Sequence, residues 1–263
     1  MRVVATVFPD PEVLGQALAK LIADELVVSA ERGGVFLLGC PGGRSALSSY
    51  QALAGEVSRR RLDLSHLVIV MMDEYVVPGA DGVLRRVDPG ESYSCLGFAR
   101  REILEPIAQA CRAAGTTPPD EIWAPDPADP DAYDGRLTSA GGVDVFLLAS
   151  GASDGHIAFN QPGTPRTART HVAPLGVATR RDNMATFPEF TRLEMVPEHG
   201  VTVGVGTIAS LSHEVVMIVC GAQKQHAFDR LTTADSYQPD WPATVAVECT
   251  NPLLVADPAA AGR

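Results

Sequence analysis

Residues 151–162 read GASDGHIAFNQP and bring an aspartate, a histidine and an amide pair together within eight residues. A carboxylate beside an imidazole suits proton transfer, because Asp154 can orient His156 and support its cationic form. The amide of Gln161 follows in the same stretch. The structural alternative is a turn in which Asp154 caps the next helix and His156 fills space.

Two further stretches carry groups that suit an anion. GCPGGRSAL (39–47) is a glycine-rich turn, in which backbone N–H groups can approach an anion and a helix N-terminus adds partial positive charge. The Ser45 hydroxyl and the Arg44 guanidinium are additional donors. GAQKQHAF (221–228) brings Lys224 to a helix start. A tight turn and a surface lysine are the corresponding structural interpretations.

The stretch MMDEYVVP (71–78) holds two adjacent carboxylates, Asp73 and Glu74, after an apolar run. Successive side chains of an extended chain point to opposite sides, so at most one of the two faces a given ligand. A carboxylate near apolar walls can have its pKa raised enough to act as a base. The alternative is that both are solvated loop residues.

Each of these clusters directly follows an apolar run of strand length. Such runs lie at 2–8, 34–39, 66–72, 143–149, 201–206, 214–220 and 252–257. Helical patterns separate the early runs: one begins after Pro9 with Asp10 as its N-cap, and another covers 45–60. This alternation predicts an α/β fold with a doubly wound, mostly parallel sheet. In such a sheet the strand ends share one rim, so the clusters are expected to meet there.

Length and composition limit the partners. The 263 residues suit one large α/β domain, and the net charge of −11 argues against nucleic acid or an anionic membrane as the main partner, while leaving a small anion possible. The five cysteines show no zinc-ligand spacing, so reduced thiols and no metal are expected. No signal peptide and no membrane-length apolar window are visible, which predicts a cytoplasmic location.

Several motifs together resemble one known family. MDEY (72–75), SY (92–93), DGHIAFN followed by Pro162 and Gly163, VTVGVGTI, GxxK and DWPAT occur in the order typical of glucosamine-6-phosphate deaminases. The resemblance covers essentially the whole chain. It implies a Rossmann-like fold with helices on both faces of the sheet, which the family shares with 6-phosphogluconolactonases.

The resemblance also implies a chemistry, a cofactor-free aldose–ketose conversion that deaminates an amino-sugar phosphate. Asp73 matches the base that moves a proton between C2 and C1, and His156 matches the residue that opens the sugar ring, with Asp154 orienting it. Further residues match the substrate-binding set. These are Gly42, Gly43, Arg44, Ser45, Glu74, Ala158 and Lys224, with Arg181 substituting for a phosphate-binding arginine whose position falls near Ala185.

The departures from the family pattern leave alternatives. The family has a glutamate where this chain has Gln161, and a neutral amide cannot favour a charged imidazolium as a carboxylate does. The chain is therefore either a deaminase that has drifted around its site or a relative that accepts a different amino sugar. A lactonase that uses His156 to activate water is a further alternative, and a non-catalytic sugar-phosphate sensor is a third.

The sequence leaves assembly and motion as expectations. Relatives range from monomers to hexamers, so a homo-oligomer is compatible with the sequence. The polar, proline-punctuated stretch 160–190 lies between the DGH cluster and the next apolar run, and we expect it to act as a lid.

Overall fold

The computed structural model describes residues 3–263, apart from the side chain of Ala185, where the sequence pattern places the family's phosphate-binding arginine. The strands are β1 Ala5–Val7, β2 Phe36–Cys40, β3 Leu67–Met71, β4 Asp73–Pro78, β5 Leu84–Arg86, β6 Glu121–Trp123, β7 Val143–Ala149, β8 His171–Pro174, β9 His199–Thr202, β10 Ser212–Val219 and β11 Pro252–Ala256. The helices are α1 Pro11–Arg32, α2 Leu47–Arg60, α3 Cys95–Phe98, α4 Glu105–Ala114, α5 Pro130–Ser139, α6 Val177–Thr186, α7 Val205–Leu211 and α8 Gln225–Thr233. A π-helical segment, Ala99–Leu104, joins α3 to α4.

Seven strands form a parallel sheet in the order β1-β11-β10-β7-β2-β3-β6. Its central strands β2, β3 and β7 are largely buried on both faces, whereas the edge strands β1 and β6 each contain an exposed residue. In β7, Val145 and Leu147 pack into one core with residues of α1, α2 and α4, whereas Phe146 and Leu148 pack into the other with residues of α5, α7 and α8. The predicted doubly wound α/β fold is therefore confirmed. None of the helices formed by residues 3–263 has the length and apolar character that a bilayer crossing requires.

The strand order reverses between β2 and β7, which are neighbours in the sheet. The chain continues from β2 toward β3 and β6, and from β7 toward β10 and β11. The connections that leave the carboxyl ends of β2 and β7 therefore diverge to opposite faces. This divergence opens a crevice, the usual ligand position in open parallel sheets.

A second, antiparallel sheet has the order β5-β4-β9-β8 and corrects two sequence-based expectations. The apolar run 201–206 was predicted as one strand, but β9 ends at Thr202 and α7 begins at Val205. The chain passes so close to another segment at Gly204 that a Cβ there would lie 2.0 Å from the Ala168 carbonyl oxygen. The second is the alternative that Asp73 and Glu74 are solvated loop residues, which is wrong because both are buried in β4.

A buried carboxylate ties α5 to the second sheet and to α7. Asp134 accepts hydrogen bonds from the Thr170 amide (3.1 Å), the Thr170 hydroxyl (2.6 Å) and the Thr207 hydroxyl (2.9 Å). The guanidinium of Arg169 lies 2.8 Å from the same carboxylate. Because Thr170 immediately precedes β8, Asp134 fixes the start of the strand that leads into α6.

We expect Asp134→Ala to lower the free energy of unfolding by about 3 kcal/mol, because hydrogen bonds to a charged group each contribute ~1.5–3 kcal/mol. Urea denaturation measures the loss. Asp229→Ala, which removes an exposed carboxylate on α8, is the control and should leave the midpoint nearly unchanged. Equal midpoints for the two variants would contradict a bracing role for Asp134.

Candidate active site

A cavity of about 660 Å³ opens at the carboxyl edge of the parallel sheet, over the crevice between β2 and β7. The loops after β2, β3, β7 and β10 all contribute to its lining, so residues from each of the four polar clusters face one space. Helix α6 and the stretch around Tyr93 form the remaining walls. The cavity is large enough for a small polar metabolite.

The glycine-rich loop after β2 lines one end of the cavity through Gly42, Gly43, Arg44 and Ser45. Gly43 has a φ of 90°, a left-handed conformation that favours glycine. The residue that caps α2, Ala46, offers no side-chain acceptor to the first amides of the helix. Those amides suit an anionic group, because a helix N-terminus carries partial positive charge.

Asp73 is the first residue of β4, and its side chain lines the cavity although the residue is only 6% exposed. Burial raises the pKa of this carboxyl to about 7. A hydrogen bond from the Cys95 thiol lowers the pKa, and the neighbouring Glu74 carboxylate raises it. A carboxylate that titrates near neutral pH and faces a ligand-sized cavity can take up and return a proton.

Glu74 is not among the residues that line the cavity, and its expected substrate-binding role stays a prediction. Its fully buried carboxylate accepts hydrogen bonds from the Ser94 hydroxyl (2.8 Å) and from the amides of Cys95 (2.9 Å) and Leu96 (2.8 Å). These donors lie at the start of α3. Glu74 therefore fixes the turn that carries Cys95. Since the Cys95 thiol donates a hydrogen bond to Asp73, Glu74 acts on the site through Cys95.

Asp154 and His156 form a pair at the cavity wall. The imidazole Nδ1 lies 2.7 Å from Asp154 Oδ1, and the same oxygen accepts the His156 amide at 3.1 Å. Burial acts to raise the pKa of Asp154, but hydrogen bonds from His156 and Thr179 outweigh it and lower the pKa. Because Nδ1 contacts the carboxylate, Nε2 is the nitrogen left to exchange a proton with a ligand.

Two glycines allow this pair to form. A Cβ at Gly151 would lie 2.2 Å from His156 Nδ1, in the space that the imidazole occupies. Gly155 has a φ of 66°, and a Cβ there would lie 2.2 Å from the indole ring of Trp241. The tryptophan of the DWPAT stretch thus packs directly behind the DGH turn.

The same loop continues in a tight turn at Ala158, which lines the cavity and has a φ of 51°. A left-handed conformation is unfavourable for a residue with a Cβ, so the surroundings must enforce it. Asn160 holds the turn in this conformation, because its buried side-chain amide donates to the Ile157 carbonyl (3.0 Å) and to the Val203 carbonyl (2.7 Å). Ala158 therefore lines the cavity in a conformation that Asn160 holds in place.

Lys224 lies at the start of the helical segment after β10, as predicted, and lines the cavity. Its ammonium donates to the Ser150 carbonyl. Burial lowers the pKa of Lys224, and the carboxylates of Asp182 and Asp154 oppose that shift. The lysine is thus held between the loop after β7 and α6.

Four of the expected site residues are not among those that line the cavity: Asp154, which contacts it through His156, Glu74, Gln161 and Arg181. The Gln161 amide donates to the Pro174 carbonyl at the end of β8, and so it braces the loop. Arg181 is exposed on α6, on a different face from the residues that line the cavity. The catalytic role of Gln161 and the phosphate-binding role of Arg181 stay predictions, since α6 turns side chains other than Arg181 toward the cavity.

The inward face of α6 supplies residues that the sequence analysis missed. Asp182, Asn183 and Thr186 line the cavity, and the Thr179 hydroxyl lies 3.3 Å from both Asp154 Oδ2 and His156 Nδ1. Asp182, Asn183 and Thr186 follow Thr179 by three, four and seven positions. A polar stripe at helical spacing was the available signal, since such a stripe lies on one face of a helix.

The segment 160–190 forms one wall of the cavity, and the SY motif holds it. The ring of Phe190 packs 4.7 Å from that of Tyr93, and the Ser92 hydroxyl donates to Glu189. Opening and closing of this segment stays a prediction.

The pKa of Asp73 is expected to respond to the residue at position 95. Cys95→Ala removes a hydrogen-bond donor to the ionised carboxylate and should raise the pKa of Asp73, whereas Cys95→Ser supplies a stronger donor and should lower it. The carboxyl carbon chemical shift of Asp73, followed by NMR across neutral pH, reports both changes. Shifts in the same direction for both variants would contradict the thiol hydrogen bond.

Comparisons with known proteins agree with this architecture. Residues 9–255 match the family described as glucosamine-6-phosphate isomerases/6-phosphogluconolactonase. The chain is 37% identical over 210 residues to a glucosamine-6-phosphate deaminase of Arthrobacter sp., covering 80% of this chain and 75% of the relative. It is 32% identical over 253 residues to the corresponding enzyme of Beutenbergia cavernae, covering 93% and 88%.

Solved structures share the fold. A monomeric glucosamine-6-phosphate deaminase superposes with a TM-score of 0.81 at 24% identity, covering 100% of this chain and 99% of that one. A 6-phosphogluconolactonase from Leishmania guyanensis gives 0.70 at 15% identity, covering 99% and 98%. With the family match spanning nearly the whole sequence and its motifs gathered in one cavity, the chain belongs to the glucosamine-6-phosphate isomerase/6-phosphogluconolactonase family.

Proposed function

We propose that this protein converts an amino-sugar phosphate into a ketose phosphate and ammonia without a cofactor, with glucosamine-6-phosphate as the leading substrate. One observation carries the proposal: Asp73, whose pKa is about 7, faces the same cavity as His156, which is paired with Asp154. Two proton-transfer groups in one cavity match a reaction that needs ring opening and then a proton shift. The relatives named glucosamine-6-phosphate deaminase support the same reaction.

The proposed reaction begins with ring opening. His156 gives a proton to the ring oxygen as the bond from that oxygen to C1 breaks, and it takes up the proton that the C1 hydroxyl loses, which leaves an aldehyde. Asp73 then removes the proton on C2 while His156 returns a proton to the C1 oxygen, which forms an enolamine, and Asp73 delivers its proton to C1. The resulting imine at C2 takes up one water and releases ammonia. The water consumed makes the overall reaction a hydrolytic deamination.

The anionic end of the substrate is assigned to the glycine-rich loop. Gly42, Gly43 and Ser45 supply backbone and hydroxyl donors, and Arg44 and Lys224 are the arginine and lysine side chains among the described residues that line the cavity. A phosphate bound there would orient the sugar chain, and fixed orientation can provide a large share of a rate enhancement. Ala158 would contact the sugar.

Lactone hydrolysis fits the cavity less completely. It needs a base that activates water, which the Asp154–His156 pair supplies, but it has no use for a second, buried base at Asp73. The lower structural similarity to the lactonase than to the deaminase points the same way.

A cytoplasmic location stays a prediction, supported by five cysteines that are all free.

The first experiment measures ammonia release and ketose formation from glucosamine-6-phosphate, other amino-sugar phosphates and unphosphorylated amino sugars, with parallel wells of 6-phosphogluconolactone read by acid production. We expect turnover of an amino-sugar phosphate. If the protein produces acid from the lactone and acts on none of the amino sugars, the deamination proposal is wrong and lactone hydrolysis takes its place.

Asp73→Asn tests the assigned base. It should lower kcat by at least ~100-fold, because general-base catalysis contributes roughly 10²–10⁴-fold, while substrate binding by calorimetry stays close to wild type. Asp131→Asn, on the exposed face of α5, is the control and should keep full activity. Full activity of the Asp73→Asn variant would show that Asp73 is not the base.

A further inference from the structure

We propose that Asp182, on α6, is a positioning residue for His156. With Asp154 and His156 it forms the group that opens the sugar ring, and it is the second carboxylate of that group. The inference rests on the proposed function and deepens it, since it places on a helix the charge that the neutral Gln161 cannot provide.

The geometry places Asp182 in the group. One carboxylate oxygen of Asp182, one ring nitrogen of His156 and one carboxylate oxygen of Asp154 all lie within 4.8 Å of one another. The Ser153 hydroxyl donates to Asp182 Oδ2 at 3.0 Å, which ties α6 to the DGH loop. Thr179, one turn earlier on the same helix, contacts the same pair. The helix therefore delivers a hydroxyl and a carboxylate to the imidazole.

The charge count shows what Asp182 changes. Asp154 and Lys224 together are neutral, so without Asp182 a protonated His156 would leave the cluster with a net positive charge. With Asp182 included, the two carboxylates and the ammonium sum to −1, and a proton on the imidazole brings the cluster to zero. The carboxylate from α6 therefore favours the protonated imidazole, the form that must deliver a proton to the ring oxygen.

Residue 161 is not available for this role. Its amide is engaged with the Pro174 carbonyl and the residue lies outside the cavity lining. A Cβ at Gly176 would lie 2.3 Å from Gln161 Oε1, so the side chain packs closely against Gly176. The loop after the DGH motif is thus braced by an amide, and α6 carries the carboxylate instead.

The test compares two substrates in wild type and Asp182→Asn. One is glucosamine-6-phosphate, which is cyclic; the other is its analogue lacking the hydroxyls on carbons four and five, which cannot close a ring. We expect Asp182→Asn to lower kcat on the cyclic sugar about 100-fold with little change in KM, within the usual range for proton transfer. Turnover of the open-chain analogue should stay within about twofold of wild type, because that reaction omits ring opening.

Several outcomes would overturn the inference. Equal losses on both substrates would indicate a structural or binding role, and an undiminished rate on the cyclic sugar would indicate no role. Restored activity in the double variant Asp182→Asn with Gln161→Glu would assign the role of the second carboxylate to position 161 instead of position 182. Loss of wild-type activity on chelation, reversed by Mg²⁺, would mean that the three residues hold a cation instead.

A readout that needs no turnover keeps the test independent of the proposed reaction. Nitrogen chemical shifts of the His156 ring report its proton count, and Asp182→Asn should lower the doubly protonated fraction at neutral pH. Asp229→Asn, on α8, is the matched charge control and should leave that fraction unchanged. An equal fraction in wild type and Asp182→Asn overturns the inference even if wild type acts on neither sugar, an outcome that would refute the proposed function separately.

Discussion

A parallel sheet that is buried on both faces can meet a ligand only at the ends of its strands. The interiors of the central strands β2, β3 and β7 are covered by two apolar cores, so polar side chains that take part in chemistry lie at the rim. The reversal of strand order between β2 and β7 opens that rim, and the cavity lies there. The positions of Asp73, His156 and Lys224 follow from this single constraint.

The rim also explains how charged groups with different tasks coexist. Asp73 sits at the junction of the two sheets, where burial favours its neutral form. Asp154 is contacted by three hydrogen-bonding groups, two of His156 and one of Thr179, and stays ionised more readily than an ordinary aspartate. Two carboxylates in one cavity thus differ in protonation because their surroundings differ, which is the general way that one site separates an acid from a base.

The sequence predicted the parallel sheet, the α1 N-cap at Asp10 and the gathering of polar clusters, because each depends on local patterns of apolar residues and caps. It could not predict that Glu74 faces inward onto α3, since Asp73 and Glu74 differ only in which side of a strand they occupy. The inward face of α6 was missed because the expected roles were assigned by motif position, whereas Asp182 reaches His156 through space. The early end of β9 depends on the contact between Gly204 and Ala168, which are far apart in sequence.

The cysteine beside the base has a further consequence for reactivity. Burial, together with the carboxylates of Asp73 and Glu74, raises the pKa of the Cys95 thiol well above its ordinary value. Alkylating agents and peroxides react with the thiolate, which is therefore scarce at this position under physiological conditions. The cavity thus contains a thiol that donates a hydrogen bond to its base, and we expect that thiol to react more slowly with electrophiles than an exposed thiol of ordinary pKa does.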